Sequence, residues 1–178
     1  MHALLKVCRR IDALNTRVGQ AVSWLVLAAV VVSATNAVVR KSFDISSNAY
    51  LEAQWYMFAA VFLLSAGYTL LRQEHVRIDI LYGRFSARTR TGIDIFGILA
   101  FLMPFCALML WFSVPFALNS LQSGETSGNA GGLILWPVKM LMPAGFLLLT
   151  LQGLSELIKR VAFLQGLIDD STHKPDLK

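Results

Sequence analysis

Charge is what this chain has least of. Asp, Glu, Lys and Arg make up 15% of its 178 residues while 56% are hydrophobic, against roughly 25% charged and about 45–50% apolar in soluble domains. A soluble domain of this length could not hide so much apolar surface, which leaves the membrane class. Histidine is equally scarce. His2, His75 and His173 are the three, and all fall outside the apolar runs. A haem held between membrane helices needs axial ligands inside the bundle, so a small membrane cytochrome is excluded. The two cysteines, Cys8 and Cys106, are far apart; no thiol pair, disulfide framework or zinc spacing exists. The first apolar run holds no acid, unlike a drug–proton antiporter. No Gly-rich phosphate loop follows a strand. Internal repeats and low-complexity tracts are missing too, so residues 1–178 read as a single membrane domain. No cofactor, metal or catalytic residue is expected, and the chain does not read as an enzyme.

What is present is oil in four stretches. Val18–Val39 is 22 residues without a charge, Ala53–Leu71 is 19, Ile95–Gly124 is 30, and Met140–Ser155 is 16. The last extends back to Leu133 past Lys139. About 20 apolar residues cross a bilayer core as a helix. In hydrocarbon the backbone must satisfy its own hydrogen bonds, so these are helices rather than strands. The expected fold is all-α integral membrane, with helices at approximately 18–40, 53–72, 92–114 and 134–159. Arg40-Lys41 and Arg72 stop the first two. Pro137 suits the first turn of the fourth. Pro115 should end or bend the third, and Pro104 and Pro143 should kink the helices that hold them.

The cations sort by segment. Residues 1–17, 72–90 and 159–178 hold thirteen of the sixteen Lys and Arg. The connection after the first span has only Arg40 and Lys41, and that after the third has none. Cytoplasmic loops carry the excess of Lys and Arg, so both termini are expected in the cytoplasm. The net charge of +5 thus forms no single basic surface, and nucleic acid is not an expected partner. The basic start, the apolar run and the small residues of SATNA share features with a secretory signal. A signal core is about 7–15 residues, however, and this run is longer.

The connection LLRQEHVRIDILYGRFSARTR has two readings. Val76, Ile80, Leu81 and Phe85 share one helical side, with Arg77, Arg84 and Arg88 elsewhere, which suits a short amphipathic helix in the interface plane. VRIDI also alternates as a strand does. His75 reads as a solvated loop residue. Asp94 suits a helix N-terminus beside Arg88 or Arg90. Lys139 should find Glu52 or Glu125, or snorkel to headgroups. Asp94 and Lys139 lie at opposite ends of a roughly 30 Å core and cannot pair. Trp55, Trp111 and Trp136 fall at one interfacial level, as aromatic belts do. Small residues that permit close helix contact are Ala28, Ala29, Ser33 and Ala37 in the first span and Ala59, Ala60, Ser65 and Ala66 in the second.

Several local patterns then resemble one family. NAVVRKSF places Asn36, Arg40 and Phe43 at Asn-x-x-x-Arg-x-x-Phe spacing. EAQWYMF opens the second span, although Gln54 stands beside Trp55 where an acid is expected and Glu52 lies two residues earlier. EHVRID follows, with His75, Arg77 and Asp79. The stretch SGETSGNAGGLILWPVKMLMPAGFLLLTLQG, with Trp136 and Lys139, completes the likeness. Over roughly residues 18–165 the chain resembles the small membrane subunit, DctQ-like, of tripartite ATP-independent periplasmic (TRAP) transporters. The resemblance implies a scaffold beside a large multi-span membrane subunit, in sodium-coupled uptake of an organic acid delivered by a periplasmic substrate-binding protein, in the bacterial inner membrane. Asn36, Arg40, Lys41, Glu52, Trp55, His75, Arg77, Asp79, Trp136 and Lys139 are then candidate contacts to partners or membrane lipids. The 123–132 loop, rich in Gly and Ser, reads as flexible. Two other readings stay open. One is an independent homo-oligomeric transporter or channel built around Ser33, Thr35 and Asn36. The other is a membrane enzyme using Glu74, His75 and Asp79.

Overall fold

The computed structural model describes residues 2–43, 47–73 and 85–168. The amphipathic or strand-like segment around residues 76–81, with His75, Arg77 and Asp79, lies outside the described residues. Helix α1 spans His2–Phe43, α2 Asn48–Leu71, α3 Ala87–Gly97, α4 Met103–Ser123 and α5 Trp136–Leu164. A π turn, Ile98–Leu102, joins α3 to α4, so that Ala87–Ser123 is one rod. Four helices are therefore long and apolar enough to cross a membrane.

The largest departure from expectation is α1. Its 42 residues rise about 63 Å, twice a hydrocarbon core of about 30 Å. No Pro or Gly interrupts residues 3–18, and the reason the segment stays helical lies in its burial pattern. Cys8, Asn15, Val22 and Ala29 are all buried. They recur every seven residues, the repeat that keeps one seam of a helix against its neighbours. The basic residues between them point elsewhere, so the N-terminal segment docks as helix instead of trailing as a loop.

The prolines are carried within the helices. Pro115 does not end the third rod; α4 continues to Ser123 and stops at Gly124, whose φ of 60° is left-handed. Pro104 follows directly on the π turn, where Met103 N–H donates to Ile98 O five residues back. A proline ring clashes with the carbonyl four residues earlier; a widened turn at that point gives it room. Helix α5 runs through Pro143. It closes in a Schellman arrangement, with Gly166 N–H to Phe163 O at 2.9 Å and Leu167 N–H to Ala162 O at 3.0 Å.

Helix α5 is the hub. It packs on α1, on α2 and on α4, while α1 also packs on α2. Helix α1 runs antiparallel to α2 and α5, and α4 antiparallel to α5, while α2 and α5 run parallel, with Leu63 beside Gly145 and Gly67 beside Leu148. One end of the molecule therefore carries the 124–135 loop and the other carries His2 and Leu164. Close backbone approach sets the crossings. A Cβ on Gly145 would lie 2.6 Å from Leu63 O, inside α2, and one on Gly19 would lie 2.5 Å from Tyr68 Cγ. Without water to drive apolar faces together, such small-residue contacts are what holds membrane helices. Of the small residues expected at contacts, Ala29 and Ala60 are buried, whereas Ser33 and Ala37 are exposed.

Candidate functional sites: two polar clusters and an open groove

At the loop end, Glu52 is 4% exposed and turned into the chain. Its Oε2 accepts from Leu133 N–H at 2.6 Å. Its Oε1 accepts from Asn129 Nδ2 at 2.8 Å and from Ser127 Oγ. Tyr56 Oη, one turn on, donates to Ile134 O at 3.0 Å, and Asn48 Nδ2 donates to Ala130 O at 3.2 Å. Within the loop, Ser127 N–H donates to Leu133 O and Leu135 N–H to Glu125 O, around a Thr126–Ile134 bridge. The loop that composition marked as flexible is thus a small hairpin pinned to α2. Its Gly residues serve the turn (Gly131 has φ 71°), and a buried carboxylate satisfies the polar groups that the turn leaves open. Lys139 pairs with Glu125, the second of its expected partners, and stands 4.3 Å from the Phe116 ring centroid.

At the other end lies a cluster of which the sequence reading singled out only Asp94. Asn15 Nδ2 donates to Gln152 Oε1 at 3.0 Å. Gln152 Nε2 donates to Asp12 Oδ1 at 2.9 Å and to Glu156 Oε1 at 3.2 Å. Ser155 Oγ donates to Asp12 Oδ1 at 2.9 Å. Lys159 pairs with Asp12 at 3.2 Å and with Glu156. Arg160 pairs with Asp94 and, at 3.8 Å, with Glu156. Asn15, Gln152 and Ser155 are fully buried, and Glu156 and Arg160 nearly so. The network fastens α1 and α3 to one polar face of α5. Asp94, expected in a first turn, is the eighth residue of α3, and its pairing with Arg160 ties the third rod to α5. A signal existed. Gln152, Ser155, Glu156, Lys159 and Arg160 are spaced i, i+3, i+4, i+7, i+8, a polar stripe down one face of an apolar helix. In a membrane chain such a stripe faces protein, not lipid.

The other expected residues divide. Asn36, Arg40 and Lys41 line an open groove between the Phe43 end of α1 and the Asn48 end of α2. Trp55 is 68% exposed and Trp136 is 37% exposed, so both point outward. Glu52 and Lys139 are engaged within the chain. Among the described residues no three His, Cys, Asp or Glu side chains form a group able to hold a metal.

Neither a curated protein nor a solved structure shows significant similarity to the chain. The family model described as "Tripartite ATP-independent periplasmic transporters, DctQ component" matches residues 28–163, which is most of the four-helix region. The chain belongs to that family and is a small membrane component of a TRAP-type transporter.

Proposed function

We propose that this subunit is a fixed scaffold in the bacterial inner membrane. It would hold the stationary part of a large multi-span subunit, which carries an organic acid and sodium, while a periplasmic binding protein delivers the substrate to the loop end. Both termini and the 74–84 connection are cytoplasmic in this reading, because they carry the excess of cations.

One observation carries the scaffold role. All five acidic residues among the described residues, Asp12, Glu52, Asp94, Glu125 and Glu156, already have a hydrogen-bond or ion-pair partner inside the chain. They sit in two clusters at the ends of the helices, where they join helix to helix or helix to loop. Intramembrane carboxylates that carry ions or protons face a cavity or a pathway; these face neighbouring helices. The chemistry of transport then belongs to another subunit, and this chain supplies depth, tilt and a rigid edge.

The test is reconstitution. Proteoliposomes holding this chain with its large subunit and the binding protein should accumulate the organic acid under a sodium gradient. Vesicles with this chain alone should show none. Uptake by the isolated chain would overturn the scaffold role.

A further inference from the structure

We propose that the groove between the Phe43 end of α1 and the Asn48 end of α2 is a binding site for an anionic phospholipid, with the phosphate at Arg40 and Lys41 and an acyl chain running down toward Ala29 and Phe58. The site stands on this chain's own residues and does not depend on the scaffold role.

The groove exists because the seam of α1 stops. The buried series Cys8, Asn15, Val22, Ala29 reaches Asn36 at its next sevenfold step. Unlike Asn15, whose amide is held by Gln152, Asn36 meets no partner among the described residues and is only half-buried. Beyond Ala29 the helix therefore presents Ser33, Ala34 and Ala37 to open space. Two adjoining hollows result, of about 620 and 360 Å³. Both are lined by Ser33, Ala37 and Gln54, so they form one continuous groove. Each lies within the range of about 300–1,000 Å³ typical of small-molecule sites.

Its polarity runs along its length. The upper hollow has Asn36, Arg40, Lys41 and Gln54 in its wall. The lower adds Ala29, Val30, Ala34 and Phe58 and no charge. From Ala29 to Arg40 the helix rises about 16 Å, enough for a headgroup, glycerol and the upper part of a chain. Three features call for a polar, anionic occupant at the top. Among the described residues, Arg40 and Lys41 have no ion-pair partner. Asn36 and Gln54 line the groove with no side-chain hydrogen-bond partner among the described residues. Unmet amides beside hydrocarbon are costly, and ester carbonyls and phosphate oxygens accept from amide N–H groups. The floor of Ala and Ser, with Phe58 on the α2 side, carries no charge and suits an alkyl chain.

The full-length chain would be placed in nanodiscs of phosphatidylcholine with a rising share of phosphatidylglycerol, and retained lipid counted by native mass spectrometry on release. Wild type should keep one phosphatidylglycerol in preference to phosphatidylcholine. Arg40→Gln with Lys41→Gln should lower that retention about tenfold or more, since each cation contributes to holding an anionic headgroup. Ala37→Leu leaves the cations and fills the floor, and should lower retention of both lipids; Val31→Leu, on an exposed face away from the groove, should change nothing. Unchanged retention in both the charge variant and Ala37→Leu overturns the proposal. So does loss of the large membrane subunit in those variants with lipid retention intact, which would make the groove a seat for protein.

Discussion

Replacing Arg160 by Met would test the buried cluster most directly. Met keeps an unbranched apolar stem and a similar helix propensity while removing the charge and its donors. The cluster holds three carboxylates, Asp12, Asp94 and Glu156, against two cations, Lys159 and Arg160. Glu156 would keep Lys159 and Gln152, so the change falls mainly on Asp94, whose side chain is 13% exposed. Stranding one member of a buried ion pair costs about 3–5 kcal/mol in soluble proteins. Interhelical hydrogen bonds in membranes average only about 0.6 kcal/mol and reach about 1.7. Asp94 sits near a helix end, between these limits, and the expected loss is about 2–3 kcal/mol. Asp94→Asn alone leaves Arg160 with Glu156 and should cost about 1 kcal/mol. The double variant should be more stable than Arg160→Met by about 1 kcal/mol, because the Asp94 side chain then no longer carries a charge facing the lost guanidinium. The assay is unfolding of purified protein in mixed micelles by rising dodecyl sulfate, followed through the four tryptophans. An Arg160→Met loss below about 0.5 kcal/mol, or strictly additive effects, would refute the account of the cluster as a buried charge tie.

Other predictions concern separate features. Glu52→Ala removes the acceptor for Leu133 N–H, Asn129 and Ser127, so amide exchange at Gly132 and Leu133 should rise; unchanged protection by mass spectrometry would mean that the hairpin holds itself. Gly145→Ala sets a methyl against Leu63 O and should destabilise by about 1–3 kcal/mol as the α2–α5 crossing opens. Gly92→Ala, inside α3 with nothing within 4 Å of the new methyl, should stabilise by about 0.5–1 kcal/mol, and the same micelle titration reads both. A reporter fused after Ser86 should be active in the cytoplasm if cations set the orientation; periplasmic activity there would reverse the proposed topology.

Composition and run length were enough to establish the four apolar helices. In lipid the backbone has no other way to satisfy its hydrogen bonds, so that conclusion does not depend on partners in space. Local chemistry likewise marked Pro137 in the first turn of α5 and the pairing of Lys139 with one of two nearby acids. Other features turned on contact. Residues 2–17 read as a basic tail because their cations dominate; only the seating of Cys8, Asn15 and Gly19 against α5 and α2 makes them the first third of a long helix. Pro115 reads as a stop or a bend because its ring removes one hydrogen bond, and with α4 packed on α5 the helix runs past it. Asp94 and Arg160 are 66 positions apart, and no periodicity within either segment announces that they meet. Residue type and spacing determined which segments enter the membrane, because transfer of a helix is a property of that helix alone. Which charges pair, which loop is pinned and where a groove stays open were decided by the tertiary structure, because those depend on how helices cross, and crossings are set by glycines and side chains far apart in the chain.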